Sequence, residues 1–225
     1  MSNEVLFLLM TLVGLIFTLF CFRMGKTWLY AYVGIAIILA NIFVTKQMPL
    51  LGLSATGGNV MYGTIFLATD LLSEHYGKYQ ARRAVFIGFL AALIYLVMSQ
   101  FITAFTPAPY DTVQSGMESI FNFAPRIILG SLTAYLASQL HDVWFFHLLK
   151  ERTQGRLLWF RNNVSTWISQ LIDSVTFTLV AFLGTFEWSV ILQIILTTYL
   201  LKVLIAAIDT PFIYLSYRIK AAEKV

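Results

Sequence analysis

Long apolar runs joined by short polar connections make up almost the whole chain. Runs of about 18 residues or more mark helices that cross a bilayer. Seven such runs stand out, at 4–22, 28–46, 59–76, 84–106, 124–148, 163–184 and 190–217. The third, VMYGTIFLATDLLSEHYG, is the weakest because it carries two acids. The stretch before it, LLGLSATGGNV, is rich in Gly and Ser and reads as a re-entrant or pore-mouth loop. The first and fourth runs carry no charge through VLFLLMTLVGLIFTLFCF and AVFIGFLAALIYLVMSQFITAF. They are expected to face lipid as scaffold. The predicted fold class is all-α: a polytopic membrane helix bundle of seven transmembrane helices, with residues 1–225 as a single integral membrane domain.

Composition agrees with the pattern. The 225 residues are 59% hydrophobic and 12% charged, with a mean hydropathy of +0.77. That is more apolar surface than a soluble core of this size can hide. The net charge of +4 therefore reports cytoplasmic loops rather than nucleic acid, and no direct nucleic-acid partner is expected. Connections after the first, third and fifth runs, with the C-terminal tail, hold Arg23, Lys26, Lys78, Arg82, Arg83, Lys150, Arg152, Arg156, Arg161, Arg218, Lys220 and Lys224. The opposite connections hold Lys46 together with Asp111, Glu118 and Glu187. This bias places the N-terminus outside and the C-terminus in the cytoplasm. Trp28, Trp144, Trp167 and Trp188 fall near run ends, as an aromatic belt should.

The first run is expected to be a retained helix rather than a signal peptide. Glu4 stands where a basic region should be, and Arg23 and Lys26 follow the apolar stretch. Cys21 is the single cysteine, so an intrachain disulfide is impossible. His75, His141 and His147 show no metal-ligand spacing, and no nucleotide-binding Gly-rich loop, HExxH or GxSxG is present. The reading is a non-enzyme without metal or cofactor, with no ATPase of its own.

Several polar residues interrupt the apolar runs: Asn41, Asp70, Glu74, Arg126, Gln139, Asp142, Gln170, Asp173, Lys202 and Asp209. A charge near the bilayer centre costs roughly 3 kcal/mol, so each must be paired, hydrated or neutralised. At about 1.5 Å per residue, Asp70, Asp173 and Lys202 fall near the midplane. Glu74, Gln139, Asp142 and Asp209 fall toward the cytoplasm, and Asn41 and Arg126 toward the outside. Two short copies, SQLHD ending at Asp142 and SQLID ending at Asp173, each put a glutamine and an aspartate on one helix face. Lys202 has matching depth to pair with Asp173. One reading is an interhelical ion pair that only holds spans together. Five acids against two bases leave acids unmatched, however, which favours an interior cavity for a solute. Arg126 follows Pro125 at a helix start, where a cation opposes the helix dipole. It needs an acid or a ligand acceptor, unless it snorkels to the outer headgroups. Pro211 is expected to kink the last run near Asp209.

Three stretches carry a family resemblance. GTIFLATDLLSEHYGKYQARRAVFIGF, then RIILGSLTAYLASQLHDVWFFHLLKERTQGRLLWFRNNVSTWISQLIDSVTFTLVAFLG, then YLLKVLIAAIDTPFIYL resemble the queuosine precursor transporters, also labelled vitamin uptake transporters. The motifs are TDLxxExYGxxxARR, RNNxST followed by SQLID, and a lone lysine in the last run. The resemblance covers about Trp28 to Arg218, so it implies a six-helix transporter core at 28–218 and an extra N-terminal span at 4–22. It also implies uptake of 7-cyano-7-deazaguanine or 7-aminomethyl-7-deazaguanine across the bacterial inner membrane for tRNA queuosine modification. Asn41, Asp70, Glu74, Arg126, Gln139, Asp142, Asn163, Ser165, Gln170, Asp173 and Lys202 sit in matching motifs, with Asp209 a weaker match.

Such a base presents two donors that a carboxylate can accept, a carbonyl that suits a cation or amide, and a flat face for an aromatic ring. Asp70 or Glu74 is expected to receive the donor edge, and Arg126 or Asn41 the carbonyl, with Gln139 and Asp142 also on the substrate path. Asp173 and Lys202, with Gln170 and Asp209, are expected to form the pair and polar groups that open during transport. Expected partners are a small planar nucleobase-like solute and the lipid bilayer, and Gly-containing faces permit a homodimer. The competing readings are a substrate-capture subunit served by a separate ATP-driven module, and a non-transporting assembly protein.

Overall fold

The structure is a computed structural model that describes residues 1–50, 52–122 and 125–222, with the side chains of residues 53, 54, 125 and 126 outside the description. Seven long helices occupy the seven expected stretches: α1 (Asn3–Met24), α2 (Lys26–Phe43), α3 (Gly58–His75), α4 (Lys78–Ala104), α6 (Pro125–Arg152), α7 (Leu158–Phe182) and α8 (Trp188–Ser216). Two elements were not foreseen. One is α5 (Gln114–Phe121), a short helix in the α4–α6 connection. The other replaces the expected loop: β1 (Gln47–Leu50) and β2 (Leu53–Thr56) form an antiparallel hairpin, paired from Gln47 with Thr56 to Leu50 with Leu53. Strands of four residues, the first containing Pro49, carry too little alternation to announce themselves.

Successive long helices reverse direction, which sorts the connections into two ends. At one end, the Asn3 amide donates to Pro49 O at 2.9 Å, and Gln100 donates to Phe121 O at 3.0 Å. This is the hairpin end. At the opposite end, Ala222 N donates to Arg23 O at 2.8 Å, closing the C-terminal tail against the end of α1.

Helices α1, α2, α4 and α8 are long and apolar enough to cross a membrane by length and composition. The chain is thus built as a multi-pass membrane protein. Helices α3, α6 and α7, with Lys202 and Asp209 of α8, carry most of the polar positions, and the bundle turns those positions inward. In α3, 15 of 18 residues are buried, which makes it the central helix. By contrast α1 shows Leu9, Val13, Ile16, Phe17 and Phe20 outward, and α4 shows Phe86, Leu90, Ile94, Met98 and Phe101. Those two faces match the expected lipid-facing scaffold.

Small residues allow α3 to sit at the centre. At Gly63 an added Cβ would stand 2.2 Å from Ile205 Cγ2 and 3.3 Å from Ile205 Cβ, so α3 and α8 touch there through the glycine itself. The branched Ile205 side chain cannot swing aside without leaving its preferred rotamer. Introducing Gly63→Ala is therefore expected to destabilise the protein by about 1–3 kcal/mol through overpacking. The pair Gly63→Ala with Ile205→Ala should recover part of that loss. Thermal unfolding in detergent measures both; equal stability of wild type and the single variant would contradict the packing argument.

Candidate functional site

A cavity of about 620 Å³ opens at the hairpin end and runs down between α3, α6, α7 and α8. That volume lies within the roughly 300–1,000 Å³ of small-molecule sites. Helix α8 lines it with Gln193, Thr197, Thr198 and Lys202, a stripe at helical spacing. Asp173 and Phe177, one turn apart on α7, face it, as do Asn59 and Tyr62 on α3 and Ser131 on α6. Gln47, Ala55 and Thr56 of the hairpin contribute the rim.

The ion pair between Lys202 Nζ and Asp173 Oδ2 lies well inside the bundle. Asp173 is nine residues from the end of α7 (Phe182), or about 14 Å at 1.5 Å per residue. Ser138 Oγ on α6 donates to the other carboxylate oxygen at 3.3 Å. The Lys202 ammonium also stands 5.2 Å from the centre of the Tyr62 ring, within cation–π range. Asp173 and Lys202 are only 4% and 6% exposed, so the pair is screened from bulk water while still touching the cavity. Removing one partner would strand a buried charge at a cost of about 3–5 kcal/mol.

Beyond this pair, away from the hairpin end, buried polar side chains continue. Thr166 Oγ1 donates to Asp70 Oδ2 at 3.3 Å, Thr69 Oγ1 donates to Gln139 Oε1 at 3.2 Å, and Asn162 donates to Asp209 Oδ1 at 3.2 Å. Asp142 neighbours Asp70, Ser165, Thr166 and Ser169, yet neither of its oxygens meets hydrogen-bond geometry. Asp70, Asp142 and Asp209 are fully buried. Among the described residues, none of the three forms an ion pair, and no group of His, Cys, Asp and Glu is arranged to hold a metal.

The two SQLxD copies meet across the α6–α7 interface. Ser138 of the first copy bonds to Asp173 of the second, while Ser169 of the second lies against Asp142 and contacts His141 Nδ1 at 2.9 Å. Because the helices run antiparallel, each serine serves the other copy's acid or its neighbour.

At the opposite end stands a third cluster. Glu74 receives Arg161, Lys150 (3.0 Å) and the Tyr217 hydroxyl. Lys150 also donates to the Glu74 backbone carbonyl at 2.9 Å.

The structure thus divides the expected site residues. Asp173 and Lys202 border the cavity, with Gln170 buried one turn below on α7. Asp70, Gln139, Asp142 and Asp209 belong to the interior polar groups, and Glu74 sits apart in the ion cluster. Asn41 donates to Ile37 O of its own helix at 2.8 Å and is not on the cavity wall, although Val44 and Thr45 one turn on are. The side chain of Arg126 lies outside the described residues; its neighbour Ile127 lines the cavity. Pro211 falls inside α8, two residues after Asp209.

Arg161, expected among the loop cations, lies instead in the first turn of α7 and is fully buried. Its guanidinium is drawn inside by Glu74. Without it the cation bias between the two sets of connections still holds. The sequence pattern assigned no separate role to Tyr62, Ser138, Asn162, Thr166 and Tyr217, and it read Lys150 only as a loop cation. The stripe Asn162, Thr166, Ser169, Asp173 at helical spacing could have revealed two of these, whereas nothing in the local pattern marks Tyr62.

Comparison with known proteins agrees with this arrangement of polar groups in an apolar bundle. Residues 56–216 match the family model described as "Putative vitamin uptake transporter". A Bacillus subtilis protein named "Probable queuosine precursor transporter" is 42% identical over 216 residues, covering 95% of this chain and 94% of that one. An Escherichia coli protein named "Queuosine precursor transporter" is 31% identical over 189 residues, covering 80% of each chain. No solved structure matches. The matched segment takes in every residue of the three clusters except Tyr217, which follows directly, and the chain belongs to this transporter family rather than to a family of enzymes.

Proposed function

We propose that this chain carries queuosine precursors, the 7-deazaguanine bases 7-cyano-7-deazaguanine or 7-aminomethyl-7-deazaguanine, inward across a bacterial inner membrane. The observation that carries the reading is the 620 Å³ cavity with a desolvated Asp173–Lys202 pair at its inner end. A lipid-facing scaffold has no use for such a space, and an assembly subunit would fill it. The names of the relatives supply the solute class.

In this reading all seven long helices cross the membrane, with 28–218 as the transporting core and α1 as an added span. The hairpin end faces outward. Arg23, Lys26, Lys78, Arg82, Arg83, Arg152 and Arg156 lie at the opposite end, which is the side a cation excess keeps in the cytoplasm. The cavity is then the entry site.

Its chemistry suits a guanine-like solute. The Asp173 carboxylate can accept the ring N–H and exocyclic amine side by side, and Lys202, Asn59 or Gln193 can donate to the carbonyl. Tyr62 and Phe177 offer ring faces for stacking. For the base to engage Asp173, Lys202 must shift its ammonium, and the Tyr62 ring gives it a second place to rest. Arg126, near the same wall, would assist at the carbonyl. Asp70, Gln139 and Asp142 would meet the base farther along, after rearrangement of α3, α6 and α7.

Two experiments test this. Cells unable to make 7-deazaguanines, supplied with either base, should gain queuosine in tRNA only when they express this chain; no gain with either base removes the substrate assignment. The same purified chain in liposomes should admit the base unaided. Need for an added ATP-driven module would make it a capture subunit instead. Within the site, Asp173→Asn and Lys202→Met should each lower folded yield, because each leaves one buried charge unmatched. The double variant Asp173→Asn with Lys202→Met should recover yield but not uptake. Uptake at the wild-type rate by that double variant would remove the pair from the transport cycle.

A further inference from the structure

The cluster around Glu74 lies at the end opposite the cavity mouth, and nothing in the entry site requires it. It joins four separate helices: Glu74 near the end of α3, Lys150 near the end of α6, Arg161 at the start of α7 and Tyr217 just past the end of α8. We infer that this cluster is the cytoplasmic latch of the transporter, held shut while the outer cavity is open, with Arg161 as its hub. The inference rests on the transport reading proposed above.

Three features support a latch over a static brace. First, Arg161 is fully buried yet incompletely satisfied. It donates to Glu74, to the Gly155 carbonyl at 2.5 Å and to the Arg156 carbonyl at 3.1 Å, while its Nε meets no acceptor among the described residues. Its bonds are thus concentrated on one acid and two loop carbonyls, so the hub holds the end closed through few contacts. Second, the bonds are side-chain bonds between helix ends. They can break without unwinding any helix, as rigid rocking of helices requires. Third, a hollow of about 490 Å³ already opens beside the hub, lined by Arg161, Trp159, Tyr214 and Tyr217. When the Tyr217 hydroxyl and Lys150 leave Glu74, this hollow can extend inward past Ser73 toward Asp70. It would release a planar solute between aromatic rings, with the free Arg161 donors facing its acceptor atoms.

The same placement gives the alternation a rule. The Asp173–Lys202 pair sits below the outer cavity, the Glu74 cluster at the inner end, and the fully buried Asp70, Asp142 and Gln139 lie between them, lining neither the cavity nor the hollow. The outer cavity reaches the Asp173–Lys202 pair while the inner hollow stops at Arg161, as a carrier that avoids a continuous pore demands.

The test uses the full chain with Cys21→Ala and a reporter, Ser73→Cys, at the buried position next to Glu74. In inside-out membrane vesicles with no base present, the reporter should react slowly with a membrane-impermeant maleimide. Adding Glu74→Gln should speed labelling by about tenfold, and Tyr217→Phe by a smaller factor, because each removes charge-assisted bonds that hold the end closed. Apparent affinity for base supplied from outside should weaken in step, since fewer molecules remain open outward. Unchanged labelling in both variants, with normal thermal unfolding, would reduce the cluster to a structural brace and overturn the inference. If Glu74→Gln does not fold, Tyr217→Phe, which keeps the Glu74–Arg161 pair, decides alone. Because labelling needs no solute, faster labelling without any deazaguanine uptake would retain the latch and reject only the cargo.

Discussion

A charge buried among helices has to be answered by another side chain, because acyl chains offer it nothing. In this protein that demand falls on α3, α6 and α7, joined by Lys202 and Asp209 of α8, and it dictates the rest. Their polar stripes can face only one another, so α3 takes the centre and α6 lies against α7 along its length. The apolar faces of α1 and α4 are then left for lipid, and α8 closes the ring with its lysine turned in toward Asp173. The order of the layers follows from where the charges are, more than from the amount of apolar surface.

Much of this was legible in the sequence, for a physical reason. Apolar runs of bilayer length leave little choice of secondary structure, so the seven long helices fall on the expected stretches. The Asp173–Lys202 pair was readable because counting depth from the run ends works when helices are straight and antiparallel. What escaped was set by tertiary contact. Arg161 looked like one more loop cation because its partner, Glu74, lies 87 positions away in sequence. The hairpin escaped because its two strands gain their register from each other and from α1 rather than from alternation. Asp70 and Glu74 were alternatives for one role; Glu74 instead reaches the helix end, where Lys150, Arg161 and Tyr217 engage it.

The paired SQLxD segments show how a short polar word is used twice. In one helix alone it would be an unpaid polar face. Set antiparallel against its copy, each serine meets the partner's acidic end, and α6 and α7 gain a fixed register with few groups. The arrangement leaves Asp142 without hydrogen bonds of good geometry while Asp173 has both oxygens engaged. The same pattern, alike in four letters of five, thus yields one settled acid, beside the cavity, and one unsettled acid, deeper in. Local sequence cannot distinguish the two; the lysine on α8 does.

The hairpin rests on a small apolar knot of its own. Leu50 and Ala55 pack with Phe7 of α1, Val60 of α3, and Leu201 and Ile205 of α8, separately from the main core, and Asn3 ties the turn to the start of α1. Leu201 immediately precedes the lysine of the ion pair and itself borders the cavity. A change of side chain on the outermost turns of the first helix would therefore be felt at the aperture before it reached the interior. That gives the protein a way to retune how wide the cavity mouth stands, over evolutionary time, while the ion pair beneath stays untouched.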